Sequence, residues 1–235
     1  SMPRILIWDL PVRLFHWMLT LLILGALAIA LLLKSSSPWY PYHSVLALIA
    51  APLIVLRIAW GFVGTRHARF WSFLFSPKAV AKYFIDALRW RETRHAGHNP
   101  GAAYFVILMM VLPLLSVLSG YQLGAGNKQA KEFHEILAYV LLGVIGVHIL
   151  GVILHTLRHK ELIAFSMVDG KKQADAAQAI PSSRPIAGAL FLLFALWWGA
   201  MIYRGYDTKR GVVRLPLVGM EVKIEETGFE DEHEE

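Results

Sequence analysis

Histidines set inside long apolar runs are the residues of this chain whose type and spacing could do chemistry. The stretch Phe133–His155, FHEILAYVLLGVIGVHILGVILH, carries His134, His148 and His155 in an otherwise almost wholly apolar run. His134 and His148 stand fourteen residues apart. That is close to four helical turns, so they share a face at levels about 21 Å apart. His16 and His43 open the first two apolar runs. An imidazole inside a bilayer-length helix is costly unless something uses it. Four of them, at matching depths, point to two buried metal centres, each held by a pair of histidines.

The elements that must position these residues are membrane helices. Of the 235 residues, 56% are hydrophobic and 17% charged, too apolar for a soluble domain of this length. Five runs suit a hydrocarbon core of about 30 Å: roughly Phe15–Leu33, Ser44–Val63, Gly101–Gly120, Ile136–His155 and Pro185–Tyr203. The expected fold class is all-α integral membrane. Ser1 before Met2 reads as an expression scar, and no cleavable signal is expected. The absence of cysteine excludes disulfides, thiolate-held iron–sulfur clusters and covalent c-type haem attachment on this chain.

Charge sets the expected orientation. Seven Lys and Arg lie between Thr65 and Pro100 and five between Thr156 and Arg184. The Ser35–Tyr42 turn has none, and Tyr121–Phe133 has only Lys128 and Lys131. Positive loops stay cytoplasmic, which places the N-terminus inside and, after five spans, the C-terminus outside a bacterial inner membrane. The net charge of +6 is then a topology signal, and no nucleic-acid partner is expected.

Asp9 reads as the cap of the first span with Pro11 in its first turn. Trp8 and Trp17 suit an interfacial aromatic belt. Phe70–Trp90 reads as an amphipathic helix on the cytoplasmic surface. Residues 171–184 read as a cytoplasmic linker, and the tail from Asp207 as an outer hairpin or a disordered segment.

Depth decides the pairing. His16 lies near the cytoplasmic side, whereas His43 and His134 lie near the outer side. His16 therefore sits closer to His148 or His155, and spacing leaves both open. Paired imidazoles with Glu135 as the one acid within the spans are poor in ligands for zinc. They suit a b-type haem, whose iron brings four porphyrin nitrogens. Gly143, Gly146 and Gly151 would let a flat macrocycle approach, and serve equally for helix packing. Arg57, deep in the second span, and Arg13 are candidate partners for haem propionates. For Arg13, snorkelling to the interface is the alternative.

The set WDLPVRLFHW, then Arg57 to Gly64 as R-x-x-WG-x-x-G, then ARFWSF, GHNPGA, and HE with the fourteen-residue step to the next histidine, resembles the bacterial cytochrome b561 family. That family is similar to the b-type cytochrome subunits of nickel–iron hydrogenases. The resemblance covers roughly residues 4–170. It implies a four-helix transmembrane bundle holding two b haems, one ligated by His16 and His148, the other by His43 and His134. A di-haem domain over 4–170 would be followed by the linker 171–184. A fifth transmembrane helix over 185–204 and a periplasmic acidic tail over 205–235 depart from the shorter four-span members.

Two redox centres stacked through a bilayer imply an electron carrier between quinone and a periplasmic partner, either a c-type cytochrome or a dehydrogenase or hydrogenase subunit. The acidic FEDEHEE end would steer a basic partner. A stand-alone superoxide:quinone oxidoreductase is the alternative with the same cofactor. A metal transporter is the alternative of another class, and would need a carboxylate-rich path. Residues near His155, Arg158 and His159 are a candidate cytoplasmic-side quinone pocket.

Overall fold

The computed structural model describes residues 3–89 and 95–224. Trp90, Arg91, Arg94 and the acidic 229–235 end lie outside the described residues. Five helices are long and apolar enough to cross a membrane: α1 (Leu10–Leu32), α2 (Tyr42–Val63), α4 (Pro100–Gly124), α5 (Ala130–His159) and α7 (Pro185–Gly205). The protein is a multi-pass membrane protein. Large apolar side chains along the spans stay exposed, among them Leu21, Tyr139, Leu154 and Leu190. A lipid-facing wall requires this, since helices satisfy their own backbone there.

Capping explains where the spans begin. Asp9 accepts a hydrogen bond from the Val12 amide at 2.9 Å, and Pro11 occupies the first turn of α1. Asn99 accepts from the Ala102 amide at 2.7 Å, with Pro100 at the start of α4. Such caps satisfy amides that the helix leaves open, and proline costs nothing there.

Helix α1 packs along α2, and α4 along α5; α2 and α4 join the two pairs, and α7 lies on α1 and α2. Glycine at 188 permits the α7–α1 approach, since a Cβ there would meet Leu10 Cδ2 at 2.6 Å. Helices α1, α2 and α4 meet over Leu19, Ala50, Ile54 and Met110, and the α4–α5 seam closes over Leu112, Leu137, Leu141 and Val144.

The two ends of the spans carry small folded caps. At the N-terminal end, β1 (Arg4–Leu6) pairs antiparallel with β2 (Lys171–Gln173), Ile5 opposite Lys172. Between α5 and β2 lies a four-residue helix, α6 (Ser166–Asp169). The Ile7 and Trp8 amides donate to the Gly170 carbonyl, and the Leu10 amide to Ser183. The 171–184 stretch, expected as a linker, is thus folded back onto the start of α1. A three-residue strand is too short to show a period, which is why the sequence reading passed over it. Trp8, expected in an aromatic belt, is buried, its indole nitrogen donating to Ser166 Oγ. Trp17 stays partly exposed and donates to the Met167 carbonyl.

The Phe70–Trp90 expectation of one surface helix is corrected. Phe70–Ser72 is a single 3-10 turn, and α3 runs only over Pro77–Leu88. Phe73 is buried, and Phe70 lies against Gly61 of α2. Pro77 can start a helix but not continue one, so it divides the segment.

At the C-terminal end, β3 (Tyr206–Asp207), β4 (Val212–Arg214) and β5 (Glu221–Lys223) form an antiparallel sheet. Of the two readings of the tail, hairpin or disordered segment, the described residues form a sheet of three strands. Val213 packs with Val45 of α2 and Ile202 of α7. The Lys223 carbonyl oxygen lies where a Cβ at Gly124 would be, so the end of α4 must be glycine for β5 to seat.

Candidate functional site

His43 starts α2 and His134 lies near the start of α5, so both stand at the end of the bundle that carries the three-stranded cap. Their rings face each other, centroids 5.9 Å apart and planes at 87°. Two imidazoles that share a metal through bonds of about 2 Å have centroids roughly 6 Å apart, so the separation of this pair is one at which both rings could hold a single iron.

Each ring is fixed by its Nδ1. That of His43 donates to the Ala26 carbonyl of α1 at 2.9 Å. That of His134 donates to the Ser116 carbonyl of α4 at 3.0 Å, with Ser119 Oγ at 2.9 Å. Ser119 Oγ itself donates to Ser116. Pinning Nδ1–H to an acceptor sets the tautomer, aims Nε2 and raises its basicity as a ligand. The His134 ring lies on Gly120 of α4, where a Cβ would sit 3.4 Å from Cε1.

The second level lies toward the N-terminal cap. His16 lies in the second turn of α1 and His148 in the second half of α5, both toward this end of the bundle. His16 Nδ1 is buried without a hydrogen-bond partner. Arg57 is 4% exposed and holds its guanidinium about 6 Å from the Phe15 and Phe70 rings. Its Nη2 donates to the Ala68 carbonyl at 3.3 Å, while Nη1 is buried without a partner. Arg13 reaches the cap, its Nη1 against Gly170, and its Nε is likewise buried and unpartnered. Unmet buried donors are expensive in a finished structure. Arg13 Nε and Arg57 Nη1 are two such donors, which a bound group carrying acceptors would satisfy.

Asp9 does more than cap α1. Fully buried, it also accepts from Trp60 Nε1 at 3.0 Å and Thr65 Oγ1 at 2.6 Å, tying the start of α1 to the end of α2. His98, in the GHNP turn, was legible only as loop. Its ring lies 4.5 Å from Phe73 and 4.8 Å from Trp8 by centroid, with Nδ1 buried and unpartnered. Burial, then the positive Arg57 and Lys172, push its pKa down to about 3. His67 donates through Nε2 to the Gln178 carbonyl at 2.7 Å.

The His155 ring lies 4.4 Å from that of His159, one turn on. A Cβ at Gly143, Gly146 or Gly151 would meet nothing within 4 Å, so these glycines do not mediate packing between helices of this chain. Among the described residues, no three His, Asp or Glu side chains converge as a metal-binding group. Paired imidazoles are what the spans offer.

The comparisons agree with this chemistry. Prokaryotic cytochrome b561 is the family whose model matches, over residues 7–170. A probable Ni/Fe-hydrogenase B-type cytochrome subunit of Rhizobium leguminosarum bv. viciae is 24% identical over 210 residues, covering 71% of this chain and 87% of that protein. Its counterpart in Bradyrhizobium diazoefficiens is 21% identical over 216 residues, covering 73% and 87%. A third, in Rhodobacter capsulatus, is 28% identical over 165 residues, covering 57% and 62%. No solved structure matches. With imidazole pairs across membrane helices and a match spanning most of its length, this chain belongs to the prokaryotic cytochrome b561 family, membrane proteins of electron transport that carry haem b.

Proposed function

We propose that the protein is a di-haem b cytochrome that carries electrons across the bacterial inner membrane, between the quinone pool and a periplasmic redox protein. The supporting observation is the His43–His134 pair, facing at 5.9 Å with both Nδ1 atoms anchored to backbone carbonyls. In this reading α1, α2, α4 and α5 form the bundle around the haems, and α7 lies outside it. His43 and His134 hold the periplasmic-side haem, and His16 and His148 the cytoplasmic-side one. Bound haem supplies reversible one-electron chemistry at each level. Arg57 contributes positive charge beside the inner haem's propionates, with Arg13 Nε as a further donor.

The N-terminal cap is cytoplasmic and the three-stranded cap periplasmic. The described loop residues support this, since Arg66, Arg69, Lys78, Lys82 and Arg89 lie on the N-terminal side. The relatives are hydrogenase cytochrome subunits by name, so a periplasmic hydrogenase or another dehydrogenase is the partner class proposed, with a c-type cytochrome as the other. The membrane-side reaction is the two-electron, two-proton exchange between quinone and quinol.

In liposomes holding trapped ferricyanide, decylubiquinol added outside should reduce the trapped acceptor only when the protein is present. His43→Ala and His148→Ala should each abolish transfer while the protein stays folded by circular dichroism. Transfer at the wild-type rate in either variant overturns the two-centre relay.

A further inference from the structure

Helix α7 has no histidine, yet it builds a cavity. Gly188 brings it against Leu10, and beside that contact α1, α2 and α7 line an open-sided groove of about 310 Å³. This is at the small end of ligand pockets, about 300–1,000 Å³. Its walls are flat and apolar: Pro11, Phe15 and Trp60 on one side, Phe191 and Phe194 on the other. One charged side chain lines it, Arg57. That guanidinium has Nη2 engaged with Ala68 and Nη1 buried without a partner. The Trp60 indole nitrogen is already committed to Asp9. Phe15 precedes His16 in α1, so the cavity adjoins the inner histidine level.

An aromatic slot with one unmet donor, open to molecules dissolved in the bilayer, selects a planar apolar ring bearing an acceptor oxygen. We propose that this α1–α2–α7 cavity binds the ring of a membrane quinone, with a ring carbonyl accepting from Arg57 Nη1. The proposal rests on the quinone reading above and gives it a location, on α7 rather than beside His155 and His159. It also gives the fifth span a task. The positive charge of Arg57 at the wall of the cavity then favours electron arrival on the quinone ring.

The test is photolabelling of the haem-loaded, full-length protein with a decyl-tailed azidobenzoquinone, followed by peptide mapping with and without excess decylubiquinone. Competable label should fall on peptides holding Phe191, Phe194 or Phe15. Ala187→Trp, which fills the cavity from its α7 wall and leaves the Arg57 side chain unchanged, should lose that label. It should also lose decylubiquinol-driven haem reduction while keeping the wild-type dithionite-reduced spectrum. If it fails to take up haem, Leu190→Trp serves the same purpose, and the wild-type labelling stands alone. Label confined to the His155–His159 region, with quinol reduction intact, overturns this site and leaves the quinone reading standing. No quinol reduction and no competable label in the wild type overturns both.

Discussion

At the residue scale, the site depends on second partners as much as on the histidines. His43 and His134 were placed by spacing and depth, but their anchors, Ala26 and Ser116, are backbone carbonyls on other helices. No sequence pattern announces a carbonyl acceptor. Asp9 shows the same limit. Its capping role was legible from DLP, yet its bonds to Trp60 and Thr65 depend on how two helix ends meet. Asp9→Ala removes the cap, worth about 0.5–2 kcal/mol. It also strands the buried Thr65 hydroxyl, at about 1–3 kcal/mol, and the half-buried Trp60 indole N–H, at less. The expected result is a clearly lower urea midpoint for unfolding in detergent; an unchanged midpoint would mean the buried carboxylate does not tie α1 to α2.

At the element scale, apolar length and caps placed the spans to within a few residues at most ends. The N-terminal cap escaped because β1 and β2 are three residues each and far apart in sequence. Helix α4 carries no histidine, yet it orients His134 through Ser116, Ser119 and Gly120. Gly120→Leu should therefore lose the outer haem and keep the inner one. Gly120→Ala, whose Cβ has 3.4 Å to the ring, should keep both. Loss of neither haem in Gly120→Leu, read by haem content per chain, would remove α4 from the ligand's support.

The β1–β2 cap carries its own pH signature. Lys172 is buried, donating to the His95 carbonyl at 2.6 Å. Burial pushes its ammonium down to about 8, partly opposed by Glu161. The folded state then releases this proton before the unfolded state does. Between pH 8 and the ordinary lysine value near 10.5 the unfolded chain binds more protons, so stability should rise with pH there. Below about 8 both states are charged and the contribution is flat. Urea midpoints across pH 7–10 read this directly, and Lys172→Met should flatten the rise. A wild-type midpoint that falls through that window contradicts the assignment.

At the scale of the whole molecule, five apolar helices carry two imidazole levels, closed by one small cap at each end. The family match covers the four histidine-bearing and wall spans and stops near α6, at residue 170. Helix α7 and the three-stranded cap lie beyond it. That cap packs on the start of α2, which carries His43, and on the end of α4. The region outside the family match is therefore built against the level proposed to face the periplasmic partner.

The most direct test is an optical spectrum of the purified protein, oxidised and dithionite-reduced, with a pyridine haemochrome assay of haem per chain. The account predicts two b haems with sharp reduced α-bands, and one haem fewer in each of His43→Ala and His148→Ala. One haem in the wild type would make one histidine level a coincidence of spacing. A folded, haem-supplied preparation with no Soret band would contradict the electron-carrier account altogether.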